Sequence, residues 1–351
     1  MEFLYDFGLF LAQAVTLVAA VLILLAGAMA LGQRQRSDLR EGHIEIRNVN
    51  EKYQAVSDTI HAVVTDPAQH KQEQKDKKKS DKAEAKSKKK QAKTGDQIEN
   101  KARLFVLQFD GDLQASATDN LREEISAVLS QAKEGDEILL NLESPGGLVH
   151  SYGLAASQLS RIKEAKVPLT VAVDKVAASG GYMMACVADT IVAAPFAVIG
   201  SIGVLAQLPN FHKLLKKNDI DFELYTAGEY KRTLTMFGEN TENGREKFVE
   251  ELEHTHDLFK QFVKGNRPAL NIDAVATGEV WYGQKALDEG LVDAIQTSDG
   301  LIQARIKDWD VYEIRFVQRK NWQEKLGMAA EGAIERAALK LLQRANRPDH
   351  I

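Results

Sequence analysis

The stretch Val176-Ala177-Ala178-Ser179-Gly180-Gly181-Tyr182 decides how this chain is read. Before it, residues 169–173 form a short apolar run with the length of a buried strand. After it, residues 182–187 are apolar and open a buried helix. Ser179 therefore stands where a strand ends and a helix begins. A helix N-terminus leaves backbone N–H groups unpaired and carries partial positive charge, so a hydroxyl held there is placed to attack a carbonyl. Gly180 and Gly181 let another backbone approach closely. A serine N-cap followed by packing glycines accounts for the same seven residues equally well, so the surrounding chain has to decide.

Outward from this point the chain keeps one rhythm. Residues 104–109, 138–142, 169–173 and 191–194 read as short buried strands. Between them, Leu121, Ile125, Val128 and Leu129, then Val149, Tyr152, Ala156 and Leu159, recur at helical spacing. Such alternation predicts an α/β fold with a mainly parallel sheet under helical cover. Further on, Phe248, Leu252, Phe259 and Phe262 line a long helix, residues 283–290 make a helical turn or two, and residues 311–317 read as a closing strand. Residues 322–342 are amphipathic, with docking on protein as the default expectation.

The N-terminal third is of another kind. Residues 9–31 are apolar except for Gln13, Thr16 and Gly27, long enough to cross a bilayer as one helix. The flank before them is acidic at Glu2 and Asp6, unlike a cleaved signal peptide. Arg34, Arg36 and Arg40 follow, and the positive-inside rule then places the rest of the chain in the cytoplasm. Lysine crowds residues 71–93, a solvated tether in a 351-residue chain whose net charge is nevertheless -5. A basic tether on an otherwise acidic chain argues against a nucleic-acid partner. The single cysteine, Cys186, excludes an intrachain disulfide framework and a thiolate metal site. The expected division is an anchor at 1–36, a juxtamembrane segment and charged linker at 37–100, a catalytic domain at 101–320 and an amphipathic tail at 321–351.

Three more segments bear on Ser179. Ser144-Pro145-Gly146-Gly147 follows the second strand, and its proline and glycines suit a loop that turns N–H groups towards one point, as an oxyanion hole requires. Read alone, it is also a plain turn. Gly200-Ser201-Ile202-Gly203-Val204 is a glycine-flanked serine loop, and Gly228-Glu229-Tyr230-Lys231-Arg232 holds a lysine that periodicity would leave on the surface.

In this order the four segments resemble the signal peptide peptidase A family of membrane-bound serine peptidases, closest to its short SohB-type members, over essentially the whole chain. The resemblance implies a ClpP/crotonase-like spiral of β-β-α units, preceded by one transmembrane helix and a lysine-rich linker. It implies Ser179 as nucleophile, Lys231 as general base and Ser201 as the residue that orients the lysine. Gly180, Gly146 and Gly147 match the oxyanion-hole positions. Tyr182-Met183 departs from the two aromatics of many relatives, which bears on pocket shape. No metal or organic cofactor is implied. The implied partners are apolar peptides, namely signal-peptide remnants or membrane-protein fragments, the lipid around residues 9–31, and a homo-oligomeric ring in which one subunit supplies the serine and the next the lysine. The family is drawn at the bacterial inner membrane with its peptidase domain outside, against the charge rule.

The implied chemistry is amide hydrolysis through an acyl-enzyme. A lysine acts as base only when neutral, and a free lysine titrates near about 10.4, so burial has to favour the neutral amine. A histidine triad is the rival plan, with His150, His212, His254 and His256 as candidates; His254 and His256 fall on a charged helix that reads as solvent-exposed. Two other classes remain, a crotonase-type acyl-CoA enzyme, which also holds an oxyanion with paired N–H groups, and a non-catalytic membrane scaffold.

Overall fold

A computed structural model describes residues 42–66 and 101–318, with single positions 69, 73, 79 and 82 between them. The chain divides into a unit spanning Ile44–Phe316 and a second made of Met1–His43 and Val317–Ile351. The expected span at 9–31, most of the lysine-rich linker and the tail lie outside the described residues. Among the described residues no helix is long and apolar enough to cross a membrane.

Strand β1 (Gly42–Asn48) and helix α1 (Val49–Val64) come first. They are followed by β2 (Arg103–Asp110), α2 (Thr118–Leu129), β3 (Glu137–Glu143), α3 (Val149–Glu164), β4 (Leu169–Val173) and β5 (Val176–Ala178). Next come α4 (Gly180–Ala185), β6 (Thr190–Ala193), β7 (Val198–Gly200), α5 (His212–Lys217) and the long α6 (Glu242–Asn266). The described chain closes with α7 (Ile272–Val275), β8 (Val280–Tyr282), α8 (Gly283–Asp288), β9 (Ala294–Ile295), α9 (Ser298–Arg305) and β10 (Asp310–Gln318).

Seven strands form one sheet in the order β1-β10-β2-β3-β4-β6-β9, parallel from β10 to β9. The central strands are apolar on both faces, as a covered parallel sheet demands. Leu107 and Phe109 with Leu140 and Leu142 face the main core, while Leu104, Val106 and Leu139 face a second core against α1 and α9. Helix α2 buries Leu121, Ile125 and Val128, and α3 buries Tyr152, Ala156 and Leu159, the stripes that the sequence spacing predicts. A second sheet of three short strands, β5-β7-β8, stands beside the first, with β5 parallel and β8 antiparallel to β7.

One expectation differs from what is seen. The folded unit does not begin near residue 101. β1 joins the large sheet, and Val49 packs in the second core with Leu301 and Val311. Asn50 fixes this start by accepting from Val311 N–H at 2.7 Å and donating to Ile306 and Trp309 carbonyls. The strand expected at 311–317 is β10, and it lies between β1 and β2.

Candidate active site

Ser179 follows β5 and forms the N-cap position of α4, as its sequence predicts, yet it does not cap: its side chain makes no cap hydrogen bond. Its backbone sits at φ 52 and ψ -119, the first central position of a type II′ turn and normally a glycine's place. Holding a serine there costs roughly 1–3 kcal/mol, the kind of strain found at functional sites. Ser179 N–H donates to Gly200 O at 2.7 Å, which ties the strained residue to the end of β7. Among the described residues Ser179 Oγ has no hydrogen-bond partner, and the residue is half-buried and so reachable.

The loop of residues 144–147 lies directly against this corner. Ser144 N–H donates to Val176 O, and Ala178 N–H donates to Ser144 O, so β5 and the loop share a ladder. Gly146 has φ +88, and a Cβ there would lie 2.7 Å from both Gly180 N and Ser179 Cβ. Only glycine meets both demands. Its own N–H does not face the corner, however: it donates to Ser144 Oγ at 3.1 Å. Gly146 is therefore not the free donor that the resemblance implies. Gly147 and Gly180 N–H have no acceptor among the described residues, and they flank Ser179 in a cavity that Val149, Met183, Gly203, Val204 and Phe259 complete. That cavity holds about 10 Å³, room for roughly one water.

Ser201 comes directly after the residue that accepts the Ser179 N–H. It too has a positive φ, 50, and its N–H donates to Glu279 O at 2.6 Å. Lys231 is elsewhere in the single chain. It lies in a turn whose N–H donates to Gly228 O, its side chain is exposed, and it does not line the cavity beside Ser179. The structure thus brings Ser179, Ser201, Gly180 and Gly147 together and leaves Lys231 apart. Its carrier, residues 204–240, exposes Leu205, Leu214, Phe222 and Tyr225.

The histidines divide. His150 and His254 are exposed. His256, expected to be exposed, is half-buried on α6, with Nε2 3.1 Å from Ile202 O; a carbonyl only accepts, so the ring nitrogen donates. It braces the loop after Ser201, a long-range contact that no local motif announces. Cys186 is fully buried and held as a thiol, its titration pushed up to about 12 by burial.

A strained serine between a strand and a helix, with free N–H groups on either side, has the parts that a serine hydrolase needs. Comparison with known proteins shows the family. Residues 2–159 match the peptidase family S49 N-terminal model, and residues 161–311 match the peptidase family S49 model. The chain belongs to peptidase family S49 and is a peptidase. It is 52% identical over 332 residues to "Probable protease SohB" of Haemophilus influenzae, covering 94% of each chain. It is 48% identical to the protein of the same name from Buchnera aphidicola subsp. Schlechtendalia chinensis, over 87% of this chain and 100% of that one. A looser likeness, 14% identical with TM-score 0.41, covers 65% of this chain and 97% of a solved mutant of the 1510-N membrane-bound stomatin-specific protease with a substrate peptide. With family membership the acyl-CoA and scaffold alternatives fall away.

Proposed function

We propose that this chain is a membrane-anchored serine endopeptidase working through a Ser179–Lys231 dyad and an acyl-enzyme. The observation that carries this reading is the Ser179 corner, where a strained, unpartnered hydroxyl lies between the free N–H groups of Gly180 and Gly147. Neutral Lys231 takes the Ser179 proton, Ser201 orients the amine, and Oγ attacks the scissile carbonyl. The oxyanion forms against the Gly180 and Gly147 N–H groups; the leaving amine takes the proton, and water then releases the acid. The small cavity lined by Met183 and Phe259 favours a small side chain beside the cut, as in signal-peptide remnants and membrane-protein fragments. No cofactor takes part in this scheme.

The architecture supports a ClpP/crotonase-like spiral. β4 joins the large sheet and β5 the small one before α4, and β6 and β7 repeat that division. An apolar run at 9–31 supports a single membrane span, and the arginines after it favour a cytoplasmic catalytic domain. The placement of Lys231 supports a site shared between copies in a head-to-tail ring. An exposed ammonium is a poor base, and a neighbour closing over residues 204–240 would desolvate it while covering exposed Leu205 and Tyr225. Leu113 and Val149, exposed near the Ser179 corner, offer an apolar receiving surface.

The test is turnover of a fluorogenic peptide with an apolar segment. Ser179→Ala and Lys231→Ala each lower kcat at least about 10³-fold with the fold intact. Wild-type turnover rises with pH, because only the neutral amine accepts a proton. A serine-directed acylating reagent modifies Ser179 alone. Wild-type turnover by Lys231→Ala would remove the dyad.

A further inference from the structure

The catalytic reading leaves one buried polar chain without a role. Tyr152, on α3, and Ser144 are both fully buried. Ser144 Oγ lies 2.6 Å from Tyr152 Oη, Tyr152 Oη lies 2.8 Å from Asp112 O, and Gly146 N lies 3.1 Å from Ser144 Oγ. Only one assignment of protons satisfies all three contacts. The Asp112 carbonyl can only accept, so it takes the single tyrosine proton. Ser144 must then donate to Tyr152 Oη, and its remaining lone pair accepts the Gly146 N–H. The chain runs Gly146 N–H to Ser144 to Tyr152 to Asp112, with every member satisfied. Buried networks of this kind hold one geometry, because any rearrangement leaves a polar group unpaired. Burial also pushes the Tyr152 titration up, which keeps its proton in place.

The same side chain reaches the other half of the corner. Gly180 packs on the Tyr152 ring so closely that a Cβ there would overlap it. A Cβ on Gly111 would likewise overlap Ser144 Oγ and Tyr152 Oη, so the chain leaves the space that the network occupies. One tyrosine thus touches both parts of the oxyanion site. Its hydroxyl, through Ser144, fixes the Pro145–Gly146 peptide, one residue before the Gly147 N–H, and its ring sets the position of Gly180.

We propose that Tyr152 is the positioning residue of the oxyanion site, holding the Gly147 and Gly180 N–H groups at one spacing through its hydroxyl and its ring. This rests on the reading of Ser179 as nucleophile. Tyr152 never touches substrate; it acts through the two glycines. Its hydroxyl should matter to the transition state and not to ground-state binding, because the oxyanion exists only after attack.

The experiment separates those two. Tyr152→Phe keeps the ring on Gly180 and removes the hydroxyl; Ser144→Ala breaks the same chain from the other side. Losing an oxyanion donor outright costs about 10²–10³ in kcat, and a donor displaced but present should cost roughly 10- to 100-fold. Both variants should lose kcat in that range with KM within about twofold. Affinity for a peptide aldehyde, whose adduct with Ser179 carries the oxyanion, should fall in parallel. Binding of an uncleaved peptide to Ser179→Ala should not change when Tyr152→Phe is added. The double variant should lose no more than the worse single one, since both cut one chain. Thermal unfolding of each variant normalises these values to folded protein, and Ser144→Ala serves alone if Tyr152→Phe does not fold. Unchanged kcat, a loss carried by KM, or unaltered aldehyde affinity would overturn the proposal. If Ser179→Ala itself kept full activity, the nucleophile reading would fail instead, whatever Tyr152→Phe does.

Discussion

From residue 176 to 203 the chain is largely buried, whereas from 204 to 240 it is largely exposed, with Thr235 and Gly238 the buried exceptions. The first stretch carries Ser179 and Ser201, the second Lys231. In the first, the backbone is tied to other segments: Ser179 N–H donates to Gly200 O, Ser201 N–H to Glu279 O, and Val176 O accepts from Ser144 N–H. In the second, contacts are mostly local, such as the Phe211, Phe222 and Phe237 rings at 5.7–6.0 Å. The serine half is built by one chain alone. The lysine half is an exposed surface, which the proposed shared site would cover.

Two glycines sharpen this contrast. Gly146 and Gly228 both have a positive φ, +88 and +97, but a Cβ on Gly146 meets Ser179 and Gly180 at 2.7 Å, whereas on Gly228 its nearest contact is Lys231 Cβ at 3.9 Å. Gly146→Ala adds overpacking of about 1–3 kcal/mol to a backbone cost of about 1–2 kcal/mol. Urea unfolding should show a loss of roughly 3–4 kcal/mol, with turnover near zero. Gly228→Ala should cost only about 1 kcal/mol. Equal losses would mean the two halves are equally rigid.

Protonation should act on the body that carries the serine half. Glu124 on α2 is buried, with Oε1 accepting from Phe316 N–H at 2.8 Å and Oε2 unpartnered, and burial pushes its titration up to about 7. The folded chain therefore binds this proton more tightly than the unfolded chain, whose carboxyl titrates near 4.5. The stability involved is full below that value and is lost as pH rises through about 7. The loss is on the order of 3 kcal/mol between about pH 5 and 8. Glu124→Gln should flatten that profile. Turnover of the folded enzyme should not follow that profile; a fall in parallel with stability would show that body stability limits the enzyme.

The smallest effect expected is at α6. His256→Ala removes the donor to Ile202 O and should cost about 0.5–1.5 kcal/mol and a few-fold in turnover. His254→Ala, on the exposed face, should change neither measurement. Complete inactivation by His256→Ala would make the histidine more than a brace.

The residues at 176–182 were legible because their signal is local, a strand run, a serine and two glycines within a dozen positions. The same holds for β2, β3 and β4, mostly apolar strands of eight, seven and five residues. Strands β5, β7 and β8 have three residues each, too few for a period, and take their form from one another. β1 was hidden differently: Ile44 and Ile46 alternate with charged residues, the pattern of an edge strand, and its partner β10 lies more than 260 residues along the chain. Tyr152 reads as one apolar residue on a helical face, and nothing local shows that its hydroxyl reaches Ser144 and Asp112. Lys231 has no signal beyond the resemblance, since an exposed turn lysine looks like any other.

Complementation tests most directly whether the lysine comes from a neighbouring copy. Ser179→Ala and Lys231→Ala chains, each inactive alone, are co-expressed and purified as verified mixed assemblies. With equal random mixing, about a quarter of the sites pair an intact serine with a neighbour's intact lysine. The account predicts turnover approaching that fraction of wild type. If serine and lysine came from the same chain, no mixed assembly could hold an intact site, and activity no higher than that of either single variant would contradict the shared site.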